Sequence, residues 1–176
     1  ILEHIPAIMA EYRQSRLLAA LAPFLEGARL DRAVALALDI LDPYDRSTTL
    51  IAFLPHVTSS EGRAALLDQA LAAARAITDH YDRAAALATL WPLAAPDQQP
   101  GIRRSALAAV ANIEDDYDRA SGIAVFAPLL ATDSAPSVLP PESQVLRDAL
   151  LSAAQIADSA ARAAALERLI PFWLEA

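Results

Sequence analysis

The sequence contains no cysteine and no lysine, and it has only four glycines and three histidines among 176 residues. Without cysteine the chain forms no disulfide bond and no thiolate metal site. Neither a phosphate-binding loop nor a dinucleotide-binding fingerprint is present, and four glycines could hardly build one. His4, His56 and His80 are too far apart to form a metal-binding pair at helical spacing. We therefore expect no bound metal or cofactor.

Catalytic constellations are missing as well. No Gly-x-Ser-x-Gly elbow accompanies the serines. The acidic run Glu114-Asp115-Asp116 lies in an expected turn, where we expect it to be solvated rather than paired in a pocket for acid–base work. We expect that the chain is not an enzyme.

The net charge and the distribution of charged residues argue against nucleic-acid binding and against a membrane-spanning segment. Every cation is arginine and the net charge is -8, so the surface repels phosphate backbones and we do not expect nucleic-acid binding, including modular RNA binding by helical repeats. The longest uncharged stretches, such as 47–60, span about 14 residues, which is too short to cross a bilayer. Glu3 and His4 interrupt any signal peptide. We expect a cytoplasmic protein without membrane contact, and the lack of lysine is typical of the coding bias of a GC-rich bacterial genome.

A tandem repeat dominates the sequence. Tyr-Asp-Arg occurs three times, always with isoleucine six residues before the arginine and proline nine residues after it. The tripeptides are 44–46, 81–83 and 117–119, the isoleucines are Ile40, Ile77 and Ile113, and the prolines are Pro55, Pro92 and Pro128. Two degenerate copies keep the same spacing, one with Ile8, Tyr12, Gln14 and Pro23, the other with Ile156, Ala160, Arg162 and Pro171. The sequence thus contains five copies of one unit.

Each copy has the pattern of two helices. Apolar residues precede the isoleucine at a period near 3.6, which predicts a helix A of roughly 12–16 residues, with Arg103 as the one exception in the stripe. A second helix, B, is predicted to begin near the Asp-Arg pair, with apolar residues four, seven and eight positions after the arginine. The repeat proline follows at once, so it kinks helix B or ends its regular part.

These patterns predict an all-α fold, specifically a right-handed superhelical α-solenoid of about five helix-turn-helix repeats in one array over 1–176. The expected hairpins are approximately 1–26, 27–58, 63–96, 101–132 and 142–176. Spacing is constant within a hairpin and variable between hairpins, and the composition of 134–141 predicts a mobile loop. Because the chain begins at Ile1 with an incomplete first repeat, we expect a fragment of a longer protein.

The turn between helices A and B carries charged residues at constant positions. An aspartate precedes the arginine by four residues in four copies, and both charges are missing together in the first copy. This predicts a salt bridge across the A–B turn or between neighbouring turns, rather than an arginine row for an anionic ligand. The pairs are Asp42/Arg46, Asp79/Arg83, Asp115/Arg119 and Asp158/Arg162. Asp45, Asp82 and Asp118 are predicted to be N-caps or first-turn acids favoured by the helix dipole. Tyr44, Tyr81 and Tyr117 are predicted to pack over the turn.

The segments 79–84 (Asp-His-Tyr-Asp-Arg-Ala) and 115–120 (Asp-Asp-Tyr-Asp-Arg-Ala) resemble the A–B turn of tetratricopeptide repeats, in which a tyrosine precedes a small residue by three. Helix A lacks that family's aromatic and glycine positions, and the proline falls inside helix B, so HEAT-like arrays with kinked helices are the alternative. The pattern Ala-Ile-x-Asp-x-Tyr-Asp-Arg-Ala-x-Ala-Leu is also similar to arrays appended to bacterial signalling NTPases and proteases. That resemblance implies a module that senses or recruits partners.

The functional expectation is recognition of a protein or peptide along a concave face lined by helix A. The candidate contacts lie beside the stripe isoleucines, at Asp39, Arg75, Asn112 and Gln155. The alternative is a structural spacer or oligomerisation segment of a larger protein, and contact with other domains of the same parent protein is a further option.

Overall fold

The computed structural model describes residues 11–127 and 141–174, with side chains placed for 12–127 and 147–170. These residues form nine α-helices, short 3₁₀ turns and connecting turns, without a β-strand, so the all-α prediction is confirmed for them. The helices are α1 (Glu11–Leu21), α2 (Ala28–Leu38), α3 (Pro43–Phe53), α4 (Ser60–Ala76), α5 (His80–Leu90), α6 (Gln99–Ala111), α7 (Asp116–Phe126), α8 (Pro141–Ala154) and α9 (Ser159–Leu174). Even-numbered helices correspond to helix A and odd-numbered helices to helix B.

Several sequence predictions concern residues outside this description. The first helix A, with Ile8 and His4, precedes it. Pro128 and residues 134–140 of the predicted loop over 134–141 fall in the internal gap, whereas Pro141, which was predicted to be part of that loop, begins α8.

The helix A stripe forms the core, as the periodicity predicted. In α4, Leu67, Ala70, Leu71 and Ala74 are all buried, and Ile77 is buried directly after the helix. Arg103, the one charged residue in the stripe, is buried too. Its side chain is only 5% exposed, and its guanidinium lies 5.4 Å from the centre of the Trp91 ring. This cation–π contact gives the buried charge an aromatic neighbour.

The repeat proline ends the α-helical part of helix B in three of the described copies. After α1, α3 and α5 the chain tightens into the 3₁₀ turns Ala22–Phe24, Leu54–His56 and Trp91–Leu93, each with proline in its first positions. Proline is tolerated there because the first amides of a helical turn need no intrahelical acceptor. The last copy differs, since α9 continues through Pro171 to Leu174.

The chain divides into two compact units, Ile1–Ile77 and Thr78–Ala176, and the boundary falls between α4 and α5. In the first unit α3 packs against α1, α2 and α4. In the second unit α5 packs against α6 and α7, α7 packs against α9, and α6 packs against α8. In each unit, therefore, a helix B contacts the helix B of the next repeat.

Candidate functional site

The turn between helices A and B repeats with the same backbone capping in each described copy. Asp42, Asp79 and Asp115 are the N-caps of α3, α5 and α7, where each carboxylate accepts a hydrogen bond from the amide three residues later, at 2.8–2.9 Å. Asp158 accepts from the Ala161 amide at 2.7 Å in the same way. This cap satisfies amides that have no intrahelical acceptor.

The positions of the other turn acids follow from this cap. Asp45, Asp82 and Asp118 lie in the first turn of helix B rather than at its N-cap. Of the two roles that the sequence allowed them, the structure selects the first-turn position, where the helix dipole favours an acid.

In three copies the arginine of the turn reaches back to the end of helix A. Arg46 Nε donates to the Ile40 carbonyl at 2.7 Å, Arg119 Nε to the Ile113 carbonyl at 2.8 Å, and Arg162 Nη1 to the Ile156 carbonyl at 2.9 Å. The acceptor in these three copies is the isoleucine six residues earlier. The invariant spacing in the sequence is thus a capping distance, in which a cation satisfies the C-terminal end of helix A.

For two of the four Asp–Arg pairs the predicted salt bridge is wrong. Asp115 uses its carboxylate on the Tyr117 and Asp118 amides, while the ion-pair partner of Arg119 is Asp116, at 4.0 Å. Asp158 likewise caps α9 while Arg162 turns to the Ile156 carbonyl. The two charges occur together because each closes one side of the same turn.

Arg83, the turn arginine of the third repeat, contacts a histidine of the same turn. Arg83 Nη2 contacts Nδ1 of His80, three residues earlier in the first turn of α5. Asp79 meanwhile directs its carboxylate to the Asp82 amide, and its own carbonyl accepts from the Arg83 amide at 3.0 Å. Because arginine only donates, His80 accepts through Nδ1 in this contact. This contact makes His80 part of the structure of the turn.

The run Glu114-Asp115-Asp116 is more than the solvated turn that was expected. Besides the N-cap at Asp115, Asp116 Oδ2 accepts a hydrogen bond from the Asp158 amide at 2.8 Å. Because Asp158 directly precedes α9, the last helix B, this bond connects two consecutive A–B turns of the second unit.

The predicted packing of the turn tyrosines is wrong for Tyr117, whose side chain is 75% exposed. The buried side of α7 begins only at Ala120, so the first turn of the helix extends beyond the packed surface. Tyr44 is 43% exposed and Tyr81 is half-buried, which shows that the three tyrosines do not share one environment.

The four candidate partner contacts all lie exposed at the C-terminal end of a helix A. Asp39 is the C-cap of α2, Arg75 is in the last turn of α4, Asn112 is the C-cap of α6 and Gln155 follows α8. Asp39 and Arg75 belong to the first unit, and the other two to the second.

Local helix chemistry explains two of these four residues. Arg75 is the basic residue that a helix C-terminus favours, and the Asn112 side-chain amide donates to the Ala108 carbonyl at 2.6 Å. An acid at a helix C-terminus is disfavoured by the dipole, so Asp39 has no such stabilising role there.

The first unit contains an open groove of about 1030 Å³ between α2 and α4, which sequence reasoning missed. Helix α2 contributes Leu30, Val34 and Leu38, and α4 contributes Ala65 and Leu66. Leu38 is 38% exposed, although it is a large apolar side chain. The signal available in the sequence was that Leu38 is apolar and lies directly beside the helix A stripe rather than in it.

The carboxylates of the groove lining are Glu26 and Asp31, beside the uncharged polar residues Thr58, Ser59 and Gln69. His56 also lines the groove, and no arginine of the described residues does. Both carboxylates are exposed. The neighbouring cations of α2, Arg29 and Arg32, are exposed and lie outside the lining.

The described residues contain neither a metal-binding group nor a membrane-spanning helix. Over 11–127 and 141–174, no group of three or more histidine or carboxylate side chains is placed to hold a metal ion. Within the same residues, every helix is too short or too polar to cross a bilayer. Comparison of the chain with models of protein families, with curated proteins and with solved structures gave no match.

Proposed function

We propose that the chain is a helical repeat module, a right-handed α-solenoid of tetratricopeptide-like or HEAT-like type, that recognises a protein partner through the exposed ends of its A helices. The observation that carries this proposal is the recurrence of one A–B turn, in which an aspartate caps helix B and an arginine caps helix A. In the described copies this turn follows an exposed residue at the end of helix A, so the same position is presented to solvent from one repeat to the next.

Exposure at the A-helix ends supports the choice of surface. Asp39, Arg75, Asn112 and Gln155 are exposed while the stripe isoleucine beside each of them is buried. Side chains at these positions can therefore change without loss of the core. That freedom suits a recognition surface, in which the fold is constant and the contacts are specific.

The proposal is tested with the whole chain as bait against proteins of the source cell, captured by photo-crosslinking. The test variant combines Arg75→Ala, Asn112→Ala and Gln155→Ala, with Asp39→Ala as a fourth change. The matched control combines four exposed residues of B helices, Thr89→Ala, Val125→Ala, Glu167→Ala and Arg168→Ala, and like the test variant removes one acid and one arginine. We expect one captured protein to be lost with the test variant and kept with the control.

Equal capture by the test variant and the control would overturn the proposal. Absence of any captured protein, with the variants folded, would favour the alternative of a spacer or oligomerisation segment. That alternative predicts instead a self-association that sedimentation measures directly.

A further inference from the structure

We propose that the groove between α2 and α4 binds a short cationic segment of a partner protein, in which apolar side chains are flanked by arginine or lysine. This inference deepens the proposed function and rests on it. The reasons are the shape of the groove, its apolar floor and the sign of the charge on its rim.

The groove has the size and lining of a ligand site. Its volume of about 1030 Å³ is at the upper end of typical small-ligand pockets, and it is open rather than enclosed. An open groove between two helices suits a peptide that lies along it. The exposed side chain of Leu38 and the half-buried side chain of Val34 provide an apolar surface that such a peptide would cover.

The charge on the rim selects the partner. Glu26 and Asp31 are exposed, and among the described residues neither carboxylate has a hydrogen bond or ion pair. With two carboxylates and no arginine in the lining, the groove attracts cations and repels acidic peptides. The carboxylates remain available to pair with a ligand, since no arginine of the described residues lines the groove.

The corresponding helices of the second unit show that such an opening is not a general feature of the repeat. There α6 and α8, which are consecutive A helices like α2 and α4, pack directly against each other. The opening in the first unit is therefore specific to the residues of that unit.

The test selects binders from a displayed library of random twelve-residue peptides on the intact chain, and then measures the enriched peptides by fluorescence anisotropy. We expect enriched peptides to combine arginine or lysine with leucine, isoleucine or phenylalanine. Leu38→Arg should weaken their binding by at least about tenfold, because it removes apolar contact and adds a positive charge that repels the cationic peptides. Glu26→Gln with Asp31→Asn should weaken it by about three- to tenfold, as expected for exposed ion pairs, and added salt should have a similar effect.

The matched control is Glu114→Gln with Asp97→Asn, which makes the same change of net charge at exposed acids of the second unit. It should leave peptide affinity within about twofold, since long-range charge effects are screened at physiological salt. Circular dichroism of each variant checks that the helices are retained.

Three other results would each overturn a part of the proposal. Peptides that depend on Arg75, Asn112 and Gln155 but not on Leu38 would overturn the groove and leave the proposed function standing. Peptides that depend on Leu38 but are neutral or acidic would overturn the cationic partner. A library that yields no binder would overturn the peptide-binding groove, while the crosslinking experiment would still decide the proposed function independently.

Discussion

The two units use the same hairpin but differ in how consecutive A helices meet. In the first unit a groove lies between α2 and α4, whereas in the second unit α6 packs against α8. Capping of the turn is the same in both, as Asp42 and Arg46 show in the first and Asp115 and Arg119 in the second. The difference shows that the residues of the turn fix how helices A and B of one hairpin are joined. The distance between consecutive A helices depends on other residues.

The interfaces between B helices differ as well. Between α1 and α3, the hydroxyls of Thr49 and Ser15 lie 3.0 Å apart, and both are within hydrogen-bond distance of the Asp45 carbonyl. At the position of Thr49, three residues after the turn arginine, the second unit has small apolar residues or glycine. These are Ala86, Gly122 and Ala165. The first unit therefore has buried hydroxyl hydrogen bonds at this position, whereas the residues there in the second unit have no polar side-chain atom.

The largest expected effect compares the two phenylalanines that follow the turn arginine by seven residues. Phe53 is 0% and Phe126 is 1% exposed, one in each unit. We expect Phe53→Ala and Phe126→Ala each to lower the free energy of unfolding by about 3–5 kcal/mol, because each leaves a cavity. Urea unfolding followed by circular dichroism measures both. Phe24→Ala, at a side chain that is 77% exposed, should stay within about 0.5 kcal/mol.

A much smaller loss for Phe53→Ala than for Phe126→Ala would sharpen the comparison. It would mean that α2 and α4 close around the cavity because the groove leaves them room to move.

A second prediction concerns the close approach in the second unit. A Cβ at Gly122 would lie 2.9 Å from Ile113 Cδ1, whereas one at Gly101 would meet no atom within 4 Å. Gly122→Thr, which introduces the residue found at position 49, should destabilise by about 1–3 kcal/mol through overpacking. Gly101→Thr should be neutral or slightly stabilising because helices disfavour glycine. Equal thermal unfolding of the two variants would contradict the tight α6–α7 contact.

A third prediction tests the separate roles of the turn charges. Asp115→Ala should cost about 1 kcal/mol as a lost N-cap, and Arg119→Ala about 1–2 kcal/mol as a lost charged hydrogen bond to the Ile113 carbonyl. The double variant should be additive within about 0.5 kcal/mol, because the two side chains bind different backbone groups. A coupling energy above about 1 kcal/mol in chemical denaturation would restore the salt bridge.

The smallest expected effect has the opposite sign. Ser47 is fully buried, and its hydroxyl has no hydrogen-bond partner among the described residues, whereas the equivalent positions of the second unit are Ala84 and Ala120. Ser47→Ala should therefore stabilise the chain by about 0.5–1 kcal/mol. Thr49→Ala, which removes a satisfied hydroxyl, should destabilise it by about 1 kcal/mol. A scanning calorimeter distinguishes the two signs, and a loss of stability for Ser47→Ala would show that this hydroxyl is satisfied in solution.

Much of the local structure could be predicted from spacing. The stripe of α4 is buried as its period of 3.6 required, and Pro55 and Pro92 end regular helix where the sequence placed a break. The roles within the turn were harder to assign. Spacing placed Asp115 four residues before Arg119, and that distance fits an ion pair as well as two separate caps. The contact of Arg83 with a histidine could not follow from the repeat either, because the other copies have no histidine at that position.

The sequence by itself thus indicated the described helices, the buried stripe of α4 and the A–B turns among the described residues, because these follow from the spacing of residues close in the chain. Only the tertiary structure decided which groups the turn charges bind, that Arg103 lies over Trp91, and that α2 and α4 border a groove. Those features depend on how side chains from distant parts of the chain fit together, and a periodic pattern carries no information about that fit.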